Sequence, residues 1–297
     1  MRSAKHRFVL SGLALLLLSA ACAGDSESAS ATDQEHAEAM AREHAGDDSS
    51  PSPAIAAEPT TEVTSSEAVY ATVDGAEVKG FLALPAGAEA PPGVIVIHEW
   101  WGLNDNIRDM ARLLAGEGYA ALAVDLYRGE GAAEPEEARA VMQRAMEHPE
   151  RLEADLAAAH AYLTDQVGSP RVGVIGWCFG GGWALRAGLT VPELDAVVMY
   201  YGRVETSPEA LESLQAPLLG HFGSADQGIP VESVRELETV LDSLGKVAAI
   251  HVYEGAGHAF ANPSGSRYQA DPAETAWART LAFFEQHLEN VEEDSGP

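Results

Sequence analysis

The stretch Arg171–Gly182 (RVGVIGWCFGGG) decides the reading of this chain. Arg171–Ile175 is a short apolar run rich in β-branched residues, which predicts a strand covered on both faces. From Phe179 onward the composition turns to Ala, Leu and Gly and predicts a helix. Between them, Gly176-Trp177-Cys178-Phe179-Gly180 has the spacing of a tight strand-to-helix turn that presents a nucleophile, here cysteine, above a sheet. Side chains two residues either side of the nucleophile would collide, and Gly176 and Gly180 have none. At a helix N-terminus, backbone N–H groups and the dipole favour thiolate over thiol, so Cys178 is expected to be acidic. The other reading is a buried structural cysteine in a Gly-rich helix start. Gly181 and Gly182 also leave open a phosphate-binding loop, but no Gly-Lys-Ser/Thr follows and the flanking glycine pattern is wrong for one.

Working outward, Gly93–His98 (GVIVIH), Tyr119–Val124, Ala196–Tyr200, Pro217–Phe222 and Val247–Tyr253 are further strand candidates. Val69–Val73 and Val78–Leu84, joined through Asp74-Gly75, predict an opening hairpin. Helical stretches fall at Asp105–Glu117, Glu134–Glu147, Pro149–Asp165 and Pro272–Leu288. This alternation predicts an α/β fold with a mostly parallel central sheet flanked by helices on both faces. Chemistry in such sheets gathers at the carboxyl ends of the strands. Two further residues stand there, Asp226 after the fifth buried strand and His258 after the sixth. The order Cys178, Asp226, His258 resembles that of α/β-hydrolases. Asp195 and His221 are weaker candidates, being at a strand start and within a strand.

The chain has 297 residues, with 18 Lys+Arg against 46 Asp+Glu and a formal charge of −28. Such acidity argues against a nucleic-acid partner. Two cysteines are too few for a disulfide framework or a cysteine-rich zinc site. Residues 1–22 have a basic start (Arg2, Lys5, Arg7), the apolar run Phe8–Leu18 and small residues before Cys22, which predicts a signal peptide. Cys22 stands where a bacterial lipoprotein signal places its lipidated cysteine, with Leu18 four residues before it; ordinary cleavage near Ala23 is the alternative. Export to the cell envelope follows, with membrane contact only through that N-terminal lipid. Residues 23–66 are acidic and rich in Ser, Ala, Pro and Thr, and predict a disordered linker. His36 and His44 lie within it and are expected to be solvated. The folded domain is then residues 67–297, and the sequence leaves its oligomeric state open.

The body resembles the dienelactone hydrolase (carboxymethylenebutenolidase-like) family of α/β-hydrolases. The residues that carry the resemblance are Val94–Gly102 (VIVIHEWWG), Gly118–Tyr127 (GYAALAVDLY), Gly173–Gly181 (GVIGWCFGG), Tyr200-Tyr201-Gly202 and Tyr253–Ala261 (YEGAGHAFA). The resemblance implies a triad of Cys178, His258 and Asp226, with Glu99 holding the resting thiol and swinging away when substrate arrives. It also implies backbone N–H groups of Trp100 and Phe179 as the oxyanion hole. The implied activity is hydrolysis of a small-molecule ester or lactone through a thioester, with no metal and no cofactor. Family members acting on the anionic dienelactone have an arginine shortly after the catalytic histidine; Asn262 stands there, which points away from an anionic substrate. Trp100, Trp101 and Trp177 are candidates for an apolar pocket, or for packing around the turn. A non-catalytic envelope-tethered binding protein on the same scaffold is the other class of function, and only a true enzyme would show an acylation burst.

Overall fold

The computed structural model describes residues 38, 42–44, 58–73, 75–262 and 266–289. The leader, Cys22 and most of the linker lie outside the described residues. Among the described residues, no helix is long and apolar enough to cross a membrane.

Eight strands form one sheet in the order β1-β2-β4-β3-β5-β6-β7-β8. They are β1 (Val63–Val73), β2 (Ala76–Pro85), β3 (Gly93–Ile97), β4 (Ala120–Val124), β5 (Val172–Trp177), β6 (Ala196–Tyr200), β7 (Leu218–Gly223) and β8 (Ala248–Tyr253). The hairpin partners β1 and β2 are antiparallel, as are β2 and β4; every other neighbouring pair is parallel. All residues of β3 to β7 are buried, which is why they read as apolar runs, broken only by His221 in β7. The edge strand β8 buries only Tyr253 fully.

The helices are α1 (Asp105–Gly116), α2 (Pro135–Met146), α3 (Pro149–Tyr162), α4 (Phe179–Thr190), α5 (Pro208–Leu211), α6 (Val231–Ser243) and α7 (Ala270–Phe284). Asn104 caps α1 by accepting the Ile107 N–H, and Pro135 and Pro149 open α2 and α3, where a missing N–H costs nothing. Alternation along the strands sends side chains to two cores. Ile95, Ile97 and Val174 face α2, α3, α4 and α6, packing near Leu156, Leu185 and Leu237. Val94, Val96 and Ile175 face α1 and α7, near Leu114, Ala276 and Phe284. Each large aliphatic side chain so buried contributes about 1.5–3 kcal/mol.

Two differences from the sequence reading concern the N-terminal boundary. β1 begins at Val63, whereas the sequence places a linker through residue 66 and the first strand at Val69. The hydroxyls of Thr60 and Thr61 donate to the Gly116 carbonyl at 2.6 and 2.9 Å, closing the end of α1. The folded body therefore includes residues from about Glu58, which the sequence assigned to the linker.

Candidate active site

Because β3 and β5 to β8 run parallel, their carboxyl ends open onto one rim, and the loops leaving them carry Glu99, Cys178, Tyr201, Asp226 and His258. Cys178 joins β5 to α4 with φ 54° and ψ −115°, a conformation that an L-residue holds only under constraint. Tyr201 (φ 35°) and Ala259 (φ 58°) share positive φ on the same rim. The turn at Cys178 is closed by backbone approach. A Cβ on Gly176 would come 2.0 Å from the Gly180 carbonyl oxygen, and one on Gly180 would come 2.5 Å from the carbonyl oxygens of both Ile97 and His98. Both glycines do what the sequence assigned to them.

His258 and Asp226 are brought together as expected. Asp226 Oδ2 accepts from His258 Nδ1 at 2.8 Å. Its Oδ1 accepts the N–H groups of Gly228 and Ile229 at 2.8 and 2.9 Å, so both carboxylate oxygens are fixed. His258 Nε2 is buried with no hydrogen-bond partner among the described residues. A ring nitrogen of His258 and the Cys178 sulfur lie within 4.8 Å. Such contacts are often long before substrate binds.

The sulfur receives hydrogen bonds from the backbone N–H groups of Phe179 and Trp100, the two donors named from the sequence. These lower the thiol pKa, but burial and the neighbouring Glu99 carboxylate outweigh them and hold it well above its ordinary value. The expectation of an acidic thiol is thereby corrected: desolvation disfavours the anion more than two N–H groups favour it.

Glu99 is 3% exposed, anchored by Tyr201 Oη donating to Oε1 at 3.4 Å and by Asn262 Nδ2 donating to Oε2. Asn262 Oδ1 accepts in turn from Asn106 Nδ2 of α1 at 3.0 Å. The turn carrying Glu99 is itself pinned by buried His98, whose Nε2 accepts the Leu126 N–H while Nδ1 bonds the Glu99 carbonyl. His221, by contrast, bonds Tyr253 Oη and Thr280 Oγ1 inside the sheet layer and stays away from the rim. Asp195 accepts the Val172 N–H at the opposite strand end.

A cavity of about 460 Å³ borders Cys178 and Phe179, with Met142, Met146, Trp183, Leu189, Arg203 and Thr206 among its walls. Arg186 and Glu205 also reach it, Arg186 paired with Glu153 at 2.6 Å.

The sequence profile of the dienelactone hydrolase family matches residues 78–288. The chain belongs to that family. A Saccharolobus solfataricus protein named "Putative carboxymethylenebutenolidase" is 32% identical over 252 residues, covering 72% of this chain and 96% of its own. A Methylorubrum extorquens protein of the same name is 31% identical over 224 residues, covering 71% and 77%. The crystal structure of a "Putative Dienelactone Hydrolase" from Klebsiella pneumoniae superposes with TM-score 0.69 at 29% identity, covering 76% of this chain and all of that one.

Within this dienelactone hydrolase site, the structure places three sets of residues singled out in the sequence. Of the two readings open for the tryptophans, packing describes Trp177, 5.5 Å from Tyr200, while Trp100 and Trp101 pack on each other and against His44; the tryptophan of the 460 Å³ cavity is Trp183. Asn262 is 4% exposed and holds Glu99, and the arginines that border the cavity are Arg203 and Arg186. His44, expected in solvent, is fully buried with Nε2 3.5 Å from Cys178 Sγ. No local pattern signals that contact, because it spans 134 residues.

Substituting Asn262→Leu should leave a buried carboxyl group short of one donor and lower stability by about 1–3 kcal/mol. Urea unfolding of the variant beside the parent measures this, and an unchanged midpoint would show that Asn262 does not support Glu99.

Proposed function

We propose that the protein hydrolyses activated carboxylic esters or lactones, with Cys178 as nucleophile, His258 as base and Asp226 as its brace. The observation that supports this most is the pair of backbone donors at the Cys178 sulfur with, within 4.8 Å of it, an imidazole whose other nitrogen is fixed by a carboxylate. At rest the thiol is protonated, held so by burial and by the charge of Glu99. Substrate entering from the cavity displaces Glu99, and the thiol proton passes to His258 Nε2. Sγ then bonds the carbonyl carbon, and the carbonyl electron pair moves onto oxygen. The N–H groups of Phe179 and Trp100 receive that oxyanion; losing one such donor typically costs about 3 kcal/mol of transition-state stabilisation. Collapse expels the alcohol or enol oxygen, which takes the proton from His258. Water deprotonated by His258 then attacks the thioester, breaking the C–S bond and releasing the acid.

The thiolate is itself a good leaving group, so a tetrahedral intermediate with a poor leaving group reverts to substrate. Esters of acidic alcohols and enol lactones are therefore favoured over amides. A panel of p-nitrophenyl esters, lactones and p-nitroanilides should show turnover of esters and lactones at least about 10²-fold above the anilides, a ratio equivalent to about 2.7 kcal/mol. Faster anilide turnover would overturn the preference. The leader pattern of residues 1–22, with Cys22 as lipid acceptor, supports placing this hydrolase at the cell envelope.

A further inference from the structure

His44 comes from the acidic segment before the folded body, yet its ring is fully buried at the centre of the site. It stacks on Trp100 at 4.6 Å, meets Trp101 edge-on at 6.3 Å and His258 edge-on at 5.1 Å. The preceding residue, Glu43, pairs with Arg267 at 2.8 Å, fixing the segment to the loop beyond His258. Burying an imidazole costs free energy even where, as here, its Nε2 has the Cys178 sulfur as a partner at 3.5 Å, so this position calls for a reason.

The geometry supplies one. His44, Cys178 and His258 each offer one ligand atom, all within 4.8 Å of one another and all buried. Zinc bonds of about 2.3 Å to sulfur and about 2.0–2.1 Å to nitrogen, at tetrahedral angles, put sulfur and nitrogen about 3.5 Å apart. The Cys178 Sγ to His44 Nε2 distance is 3.5 Å. The buried His258 Nε2 has no hydrogen-bond partner among the described residues while Nδ1 is held by Asp226, which leaves it open to a cation as well as to the thiol proton. A carboxylate behind a histidine is the arrangement that orients a ring nitrogen toward a metal. Two nitrogens and a thiolate suit zinc-class cations and not Mg²⁺ or Ca²⁺, which take oxygen ligands.

We propose that His44 Nε2, Cys178 Sγ and His258 Nε2 bind one zinc-class divalent cation, leaving a fourth position for water, and that binding suspends hydrolysis. Binding replaces the S–H bond with a metal–sulfur bond and releases one proton to solvent, with no change of oxidation state. The nucleophile's lone pair and the base's nitrogen are then both engaged. The N-terminal segment thus reports metal to the site by supplying the third ligand. The suspension rests on the hydrolytic reading above; the binding does not.

The test uses the full chain, stripped with a chelator and dialysed. Zinc titration against a chromophoric competitor should give one ion per chain, and Co²⁺ should give a thiolate charge-transfer band with tetrahedral visible bands. His44→Ala should weaken zinc at least about 100-fold and abolish the tetrahedral cobalt spectrum, whereas His36→Ala should bind zinc like the parent. Binding as tight in His44→Ala as in the parent, or a cobalt complex without the thiolate band, would overturn the site. On p-nitrophenyl acetate, zinc but not Mg²⁺ should inhibit the parent, and chelator should restore turnover. Binding that depends on His44 but leaves hydrolysis unchanged would overturn the suspension alone. A metal-free chain that hydrolyses no ester would sink the hydrolytic reading, and the spectroscopic result would still stand by itself.

Discussion

Cys178→Ala is expected to remove ester hydrolysis, with kcat falling at least about 10³-fold and any remainder reflecting only binding and the oxyanion donors. The substitution deletes the one atom on which Phe179 N–H, Trp100 N–H and the His258 side of the rim converge. Folding should survive, because alanine keeps the Cβ and the sulfur is a single buried atom beside a cavity. The positive φ of Cys178 is no easier for alanine, so the strain of the turn is unchanged. Retention of ester turnover above a tenth of the parent's, in a folded variant, would rule out Cys178 as nucleophile. The burst of p-nitrophenolate on mixing should disappear with it.

Asp226→Asn should cost nearly as much, about 10³–10⁴-fold in kcat, for a reason visible in the hydrogen bonds. Oδ1 of Asp226 accepts two backbone N–H groups, from Gly228 and Ile229. In the asparagine variant the amide oxygen must stay with those two donors, which turns the NH₂ group toward His258 Nδ1. An NH₂ group only donates, so Nδ1 must accept and the ring proton moves to Nε2. That nitrogen can then no longer take the thiol proton. The variant should fold like the parent, and NMR of the imidazole nitrogens should report the changed tautomer. A variant with parental kcat would show that the carboxylate does not set the base.

Much of this site is legible in the sequence itself. The run RVGVIGWCFG carries its own geometry, since a strand, two glycines and a helix start leave Cys178 one place to go. Asp226 and His258 were legible because parallel strands put every carboxyl end on one rim. What the sequence could not carry are contacts between distant segments. Asn262 reads as a missing arginine until α1 places Asn106 behind it and Glu99 before it. His44 reads as a solvated linker residue because nothing near it in sequence supplies the aromatic walls that enclose it. The resting thiol's high pKa depends on the balance of burial against two N–H groups, and burial is a property of the whole fold. The start of β1 is hidden in the sequence for a simpler reason. Residues 64–67 are exposed at a sheet edge, so Thr-Ser-Ser-Glu lacks the apolar alternation that marks a strand.

The backbone of the turn at Cys178 and most of the cavity wall come from different parts of the chain. Gly176, Gly180, Ile97 and His98 lock backbone against backbone under Cys178, leaving that region almost no tolerance for change. The walls, in contrast, come from side chains of α2 and α4 and from the loop after β6. A lineage carrying this architecture is therefore free to drift in what it recognises while its chemistry stays frozen: replacements at Met142, Met146 or Thr206 would remodel the guest without disturbing the reaction.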